Sequence, residues 1–130
     1  METKILIVED TLDSWTLLSS ILRTHHFHPI WAADGLQAVS EARKHQPHVI
    51  LLDLGLPGEK GFVVLERLKK NRLLSAIPVI VVTAHDPAVA EQKAREYGAF
   101  GFLQKPVKAD TLIATIRGAL GQEKDSFAKK

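Results

Sequence analysis

A chain of 130 residues has room for one domain of ordinary size, and 45% hydrophobic with 25% charged residues is the composition of a folded globular protein, not a disordered one. Seventeen basic against fifteen acidic side chains leave a formal charge of +2, too little to advertise a nucleic-acid or membrane partner. The absence of cysteine excludes disulfides, thiolate metal sites and cysteine nucleophiles, and with no signal-peptide pattern in METKILIVED and no apolar run near the ~18–20 residues of a membrane span, the expected compartment is the cytoplasm.

The first strand-like run, Lys4 to Val8, ends in Glu9-Asp10. Asp10 and Thr11 then stand where helix caps stand, ahead of Leu12, Trp15, Leu18, Ile21 and Leu22 at helical spacing. Trp15 reads as a core residue, with contact to a partner as the alternative. His25, His26 and His28 in RTHHFHP suggest a metal site only by composition. Adjacent histidines on a helix diverge, and this end of the element lies on the rim opposite the carboxylates. A second strand, Pro29 to Ala32, leads through Asp34-Gly35 into a helix carrying Leu36, Val39 and Ala42.

The stretch VILLDLGLPGEKG follows. Val49 to Leu52 shows no polar alternation, as a strand covered on both faces would, so the strand His48 to Leu52 delivers Asp53 at its surfacing end. Gly55, Pro57, Gly58 and Gly61 then break the chain before a helix with Phe62, Leu65 and Leu68. The cations Arg67, Lys69, Lys70 and Arg72 fall late in that helix, where its dipole favours them, and read as a solvated face. The fourth strand, Pro78 to Val82, is followed by Thr83. Asp86-Pro87 opens a helix with Val89, Ala90, Ala94 and Tyr97 that Gly98 stops. The fifth strand, Phe100 to Gln104, runs into Lys105-Pro106. Ala109-Asp110-Thr111 opens the last helix, with Leu112, Ile113, Ile116 and Leu120, and Gly121 ends it. Residues 1–121 are expected to form the domain, and the polar QEKDSFAKK, 122–130, a tail or the start of a linker.

Five rounds of strand then helix with short connections require right-handed crossovers and helices on both faces, which is a doubly wound α/β domain with a parallel sheet. In such a sheet ligands bind beyond the carboxyl ends of the strands. Glu9, Asp10, Asp53, Thr83 and Lys105 all fall on that one rim. Carboxylates crowded to ~4 Å repel unless a cation intervenes. The available ligands are oxygens, with His85 the only histidine on the rim, which favours Mg²⁺ or Mn²⁺ over zinc. An ammonium and a hydroxyl facing a carboxylate and a metal form a cage suited to a phosphoryl group, and a carboxylate there can act as the nucleophile and become an aspartyl phosphate. Any one strand-end Asp or Thr alone reads as a helix cap. Four strand ends with mutually useful chemistry do not.

Together ILIVED, LLDLGLPGEKG, VIVVTAH and FLQKP resemble, in that order, the receiver domain of two-component response regulators, over Lys4 to about Leu120. The resemblance implies a flavodoxin-like fold with strand order 2-1-3-4-5. It implies that Asp53 accepts phosphate from a phosphohistidine on a sensor histidine kinase or a histidine phosphotransfer protein. It also implies that Asp10 binds Mg²⁺ directly, Glu9 largely through water, and the Gly55 backbone carbonyl completes the set. Thr83 and Lys105 become the switch pair, Phe102 the aromatic switch, with a plain core aromatic as the alternative, and the bond before Pro106 is expected to be cis. Gly55 and His85 flank the phosphoryl position and are expected to tune its hydrolysis. The surface around the fourth helix, fifth strand and fifth helix is expected to carry the readout to a downstream target or output domain, with no direct nucleic-acid or membrane contact.

Two other functions compete with a phosphorylation-dependent signalling module. A phosphotransferase or phosphatase turning over through an aspartyl phosphate would want a second acid two residues after the nucleophile, where this chain has Gly55. A receiver-like binding module that no longer uses phosphate would not be expected to keep Glu9, Asp10, Asp53, Thr83 and Lys105 intact.

Overall fold

A computed structural model describes residues 2–54, 60–84 and 87–121. Five strands alternate with five helices: β1 (Thr3–Val8), α1 (Leu12–Thr24), β2 (Phe27–Ala32), α2 (Gly35–His45), β3 (Val49–Asp53), α3 (Lys60–Lys70), β4 (Val79–Thr83), α4 (Pro87–Glu96), β5 (Gly101–Gln104) and α5 (Ala109–Leu120). The strands form one parallel sheet in the order β2-β1-β3-β4-β5. No helix is long and apolar enough to cross a membrane among the described residues.

The unbroken apolar strands have the cause the sequence suggested, a sheet covered on both sides. Leu6, Ile50, Leu52, Val79 and Val81 face a layer built from α2, α3 and α4, where Ala38, Ala42, Val64, Leu65, Leu68 and Ala94 pack. Ile5, Ile7, Val49, Leu51, Ile80 and Val82 face α1 and α5 through Leu18, Leu22, Leu112, Ile113 and Ile116. Alternation along each strand sends successive side chains into opposite layers. Fully burying such a side chain stabilises the fold by roughly 1.5–3 kcal/mol before chain entropy is set against it.

The strand ends differ slightly from the reading of the sequence. Asp53 and Thr83 are the last residues of β3 and β4, paired in register with Val82 and Gln104 respectively. The backbones that carry this carboxylate and this hydroxyl are thus fixed by the ladder itself. Gly61 is not part of the chain break: it lies inside the first turn of α3, where an added Cβ would come within 2.5 Å of Leu54 Cδ2 and 3.0 Å of Leu54 Cα. That approach seats α3 directly behind the end of β3. Gly98, with φ of +88°, does stop the fourth helical segment as expected of a left-handed glycine.

Lys69 departs from the solvated-face reading of its cluster. Its stem is half-buried and its ammonium donates to the carbonyls of Ile77 at 3.1 Å and Ser75 at 3.4 Å, tying the end of α3 to the turn before β4. Burial pulls its pKa below the usual lysine value. The histidines end α1: His25 Nδ1 meets the Ile21 carbonyl at 3.0 Å and His26 takes a left-handed φ of 68°. The only metal-capable group of three or more among the described residues lies on the opposite rim.

Candidate acidic site at the carboxyl rim of the sheet

Glu9 leaves β1 just past its last paired residue, and its backbone N–H still donates to Ala32 of β2 at 3.0 Å. Thr11, not Asp10, caps α1, accepting from Ser14 N at 3.3 Å. The same residue holds the acid before it: Thr11 N and Oγ1 donate to Glu9 Oε1 at 3.1 and 3.0 Å. Asp10 is thereby left exposed at the mouth of the site.

Glu9, Asp10 and Asp53 each bring a carboxylate oxygen to within 4.8 Å of the others. Glu9 is 2% and Asp53 7% exposed. Lys105, arriving from the end of β5, donates to Asp53 Oδ2 at 2.9 Å, Glu9 Oε2 at 3.1 Å and Ser14 Oγ at 3.1 Å. The Lys105–Pro106 peptide bond is cis, and the Lys105 N–H donates to the Thr83 carbonyl at 2.8 Å.

Burial raises the Glu9 pKa to about 7, helped by the neighbouring Asp53 carboxyl and opposed by Lys105 and the Thr11 N–H. Burial alone would lower Lys105, but Asp53 first and Glu9 second outweigh it and hold the ammonium above the usual lysine range. One ammonium among three acids leaves an excess of negative charge in a poorly hydrated place. That is the charge and donor set a hard divalent cation fits, since every available ligand atom is an oxygen.

Thr83 is fully buried at the end of β4, beside β3. By alternation it shares the face of Val81, the α4 side of the sheet, and Phe102, in register with Val81, packs partly buried in that same layer. The structure therefore gathers Glu9, Asp10, Asp53 and Lys105 in one site and places Thr83 and Phe102 alongside, under α4. Gly55 and His85 lie outside the described residues, as do Met1 and the tail 122–130.

The roles of three contributors carry no signal in the sequence: Ser14 as a lysine acceptor, Thr11 as a clamp on Glu9, and Trp31, whose indole N–H donates to the Glu9 carbonyl at 2.7 Å. Only Thr11, at a cap position, stood where periodicity draws the eye. A groove of about 640 Å³ between α2 and α3, lined in part by Leu36, Val39, Arg43 and Arg67, lies away from this chemistry.

A parallel sheet in this order, with acids at the ends of its first and third strands and a lysine after its fifth, defines a receiver domain, and residues 5–117 match the family model of the response regulator receiver domain. The chain belongs to that family, and it is a phosphoryl-accepting signalling module of two-component systems. It is 37% identical to Protein PilH of Pseudomonas aeruginosa, over 90% of this chain and 97% of that protein. It is 34% identical to the polar-differentiation response regulator DivK of Brucella ovis, over 93% of this chain and 98% of that one. The solved receiver domain of the sensor histidine kinase PA1611 from Pseudomonas aeruginosa, which has a magnesium ion in its active-site cleft, superposes with a TM-score of 0.84 at 26% identity, covering 93% of this chain and 99% of that one.

Proposed function

We propose that Asp53 is the phosphoryl acceptor, taking its phosphate from the phosphohistidine of a sensor histidine kinase or a histidine phosphotransfer protein. A carboxylate oxygen of Asp53 attacks phosphorus, an O–P bond forms, the P–N bond to the donor imidazole breaks, and the ring leaves with a proton from solvent. The observation that carries this reading is Asp53 itself: nearly buried at the end of β3, 2.9 Å from an ammonium and grouped with two further acids.

Glu9, Asp10 and Asp53, with the Gly55 backbone carbonyl, would hold Mg²⁺, or Mn²⁺ in its place. The ion would neutralise the acids and draw in the donor's phosphoryl oxygens. Lys105 already lies at the carboxylate to be modified and would turn to a phosphoryl oxygen once its partner is esterified. Thr83 would take another oxygen, with Phe102 moving in the same layer, so that about two new negative charges bias the face of α4, β5 and α5 toward a downstream partner. Gly55 and His85 would set how long the acyl phosphate lasts. In this reading the chain assists only its own phosphorylation and dephosphorylation and acts in the cytoplasm.

Incubation with Mg²⁺ and a small acyl-phosphate donor, followed by intact-mass measurement, is expected to add one phosphoryl group to the wild-type chain and none to Asp53→Asn. Equal labelling of the two proteins would overturn the assignment.

A further inference from the structure

The two tryptophans of the chain stand on different elements, Trp15 in the first turn of α1 and Trp31 next to last in β2, yet their rings stack face to face, with centroids 5.0 Å apart and planes 4° from parallel. Arg23 sets its guanidinium carbon 5.9 Å over the Trp15 ring. Both indoles are half-buried. Packing alone would account for a stack. It does not account for the Trp31 indole N–H, which donates at 2.7 Å to the backbone carbonyl of Glu9. The β1–β2 ladder closes at Val8↔Ala32, one residue short of that carbonyl, so the side chain continues the strand pairing into the acidic site.

The carbonyl in question belongs to the peptide unit joining Glu9 to Asp10. That unit is planar, so fixing its oxygen also fixes the nitrogen and Cα from which Asp10 projects. The Glu9 carboxylate has its own restraints in Thr11 and Lys105. Asp10, exposed, has no side-chain hydrogen bond among the described residues, and its position is set through its backbone. We propose that Trp31 is a positioning residue for the metal site: its indole N–H grips the Glu9–Asp10 peptide unit, and the stack on Trp15 holds the ring where it can do so. This rests on the reading of Glu9, Asp10 and Asp53 as metal ligands.

Groups that orient metal ligands typically change affinity by about 10–100-fold when removed. Trp31 holds a ligand's backbone and not its carboxylate, so the expected effect is smaller, about three- to tenfold. Trp31→Phe keeps a ring to stack on Trp15 and removes the donor with part of the ring area, a loss of area that Trp15→Phe matches. Calorimetric titration with Mg²⁺, well below the unfolding temperature, should show that weakening in Trp31→Phe, whereas Trp15→Phe, which leaves the indole donor in place, should stay nearer the wild type. In ¹⁵N-labelled wild-type protein the Trp31 indole cross-peak should exchange slowly with solvent and shift on Mg²⁺ addition. A Trp31→Phe affinity within twofold of the wild type would overturn the proposal. Should that variant not fold, an indole cross-peak unmoved by saturating Mg²⁺ in the wild type would overturn it equally. Wild-type protein that binds no Mg²⁺ would instead sink the metal-site reading on which it stands.

Discussion

Glu9 carries an electrostatic cost, because its carboxyl is shut away from water beside a second acid. With a folded pKa of about 7 against an ordinary value of 4.5, the folded metal-free protein binds a proton more tightly at this site than the unfolded chain does. The stability this contributes is fully present below pH 4.5 and is lost as pH rises through 7. Metal-free protein should therefore be less stable at pH 8 than at pH 5, by on the order of 1–3 kcal/mol from this group. Glu9→Gln, equal in size and without the charge, should flatten the difference. Urea unfolding of both proteins at the two pH values checks this, and an unchanged pH dependence in the variant would assign it elsewhere. The same residue shows how far the sequence could be read. Glu9, Asp10, Asp53 and Lys105 were legible because each falls at a strand end, and strand ends of a parallel sheet share a rim. Trp31 was not, since a side chain 22 positions away that donates to a backbone carbonyl leaves no trace in periodicity.

At the scale of the element, apolar runs and their punctuation placed all five strands and five helices in order, with a boundary shifted by one or two residues at every strand. What failed was the meaning of single residues inside elements. Gly61 sat among three other breakers and read as one of them; its actual role is to let α3 lie against the backbone of Leu54. Gly61→Ala tests this, because intrinsic propensity and packing then oppose each other. Alanine gains about 1 kcal/mol over glycine within a helix, whereas forcing a methyl into a filled space costs about 1–3 kcal/mol. Since the clash includes the Leu54 Cα and not only a movable side-chain end, packing should win, and urea unfolding should show net destabilisation of about 1 kcal/mol with an unchanged slope. A more stable variant would mean that the helix relaxes away from β3 without penalty. Lys69 teaches the complementary lesson: in a run of four cations, nothing in the residue type distinguishes the one whose stem is buried over the carbonyls of the next turn.

Across the whole molecule the helices are not equally anchored. α5 sinks Leu112, Ile113 and Ile116 into one layer, α1 adds Leu18 and Leu22 to it, and α3 places Val64, Leu65 and Leu68 in the other. The buried apolar residues of α4 among the described ones are Ala90 and Ala94, while Val89 is 69% exposed. Alanine removes far less apolar surface from water than leucine or isoleucine, so α4, like α2 with its buried Ala38 and Ala42, should open more readily than α1, α3 and α5. Toward α3, Lys93 lies 4.9 Å over the Phe62 ring, which in turn tilts against Tyr97 just past the helix. α4 also follows the strand that ends in Thr83 and covers the layer holding Phe102. In the proposed reading, a charge added at Asp53 would act beside a lightly buried helix, while the acids stay at the ends of the buried strands β1 and β3. Hydrogen exchange of the unphosphorylated protein should show α4 amides exchanging at least tenfold faster than those of α5. After phosphorylation the change in protection should concentrate in α4 and β5 and spare β1 and β3. Equal protection of α4 and α5, or a response spread evenly over the sheet, would mean that the signal leaves the site by a route other than this lightly buried helix.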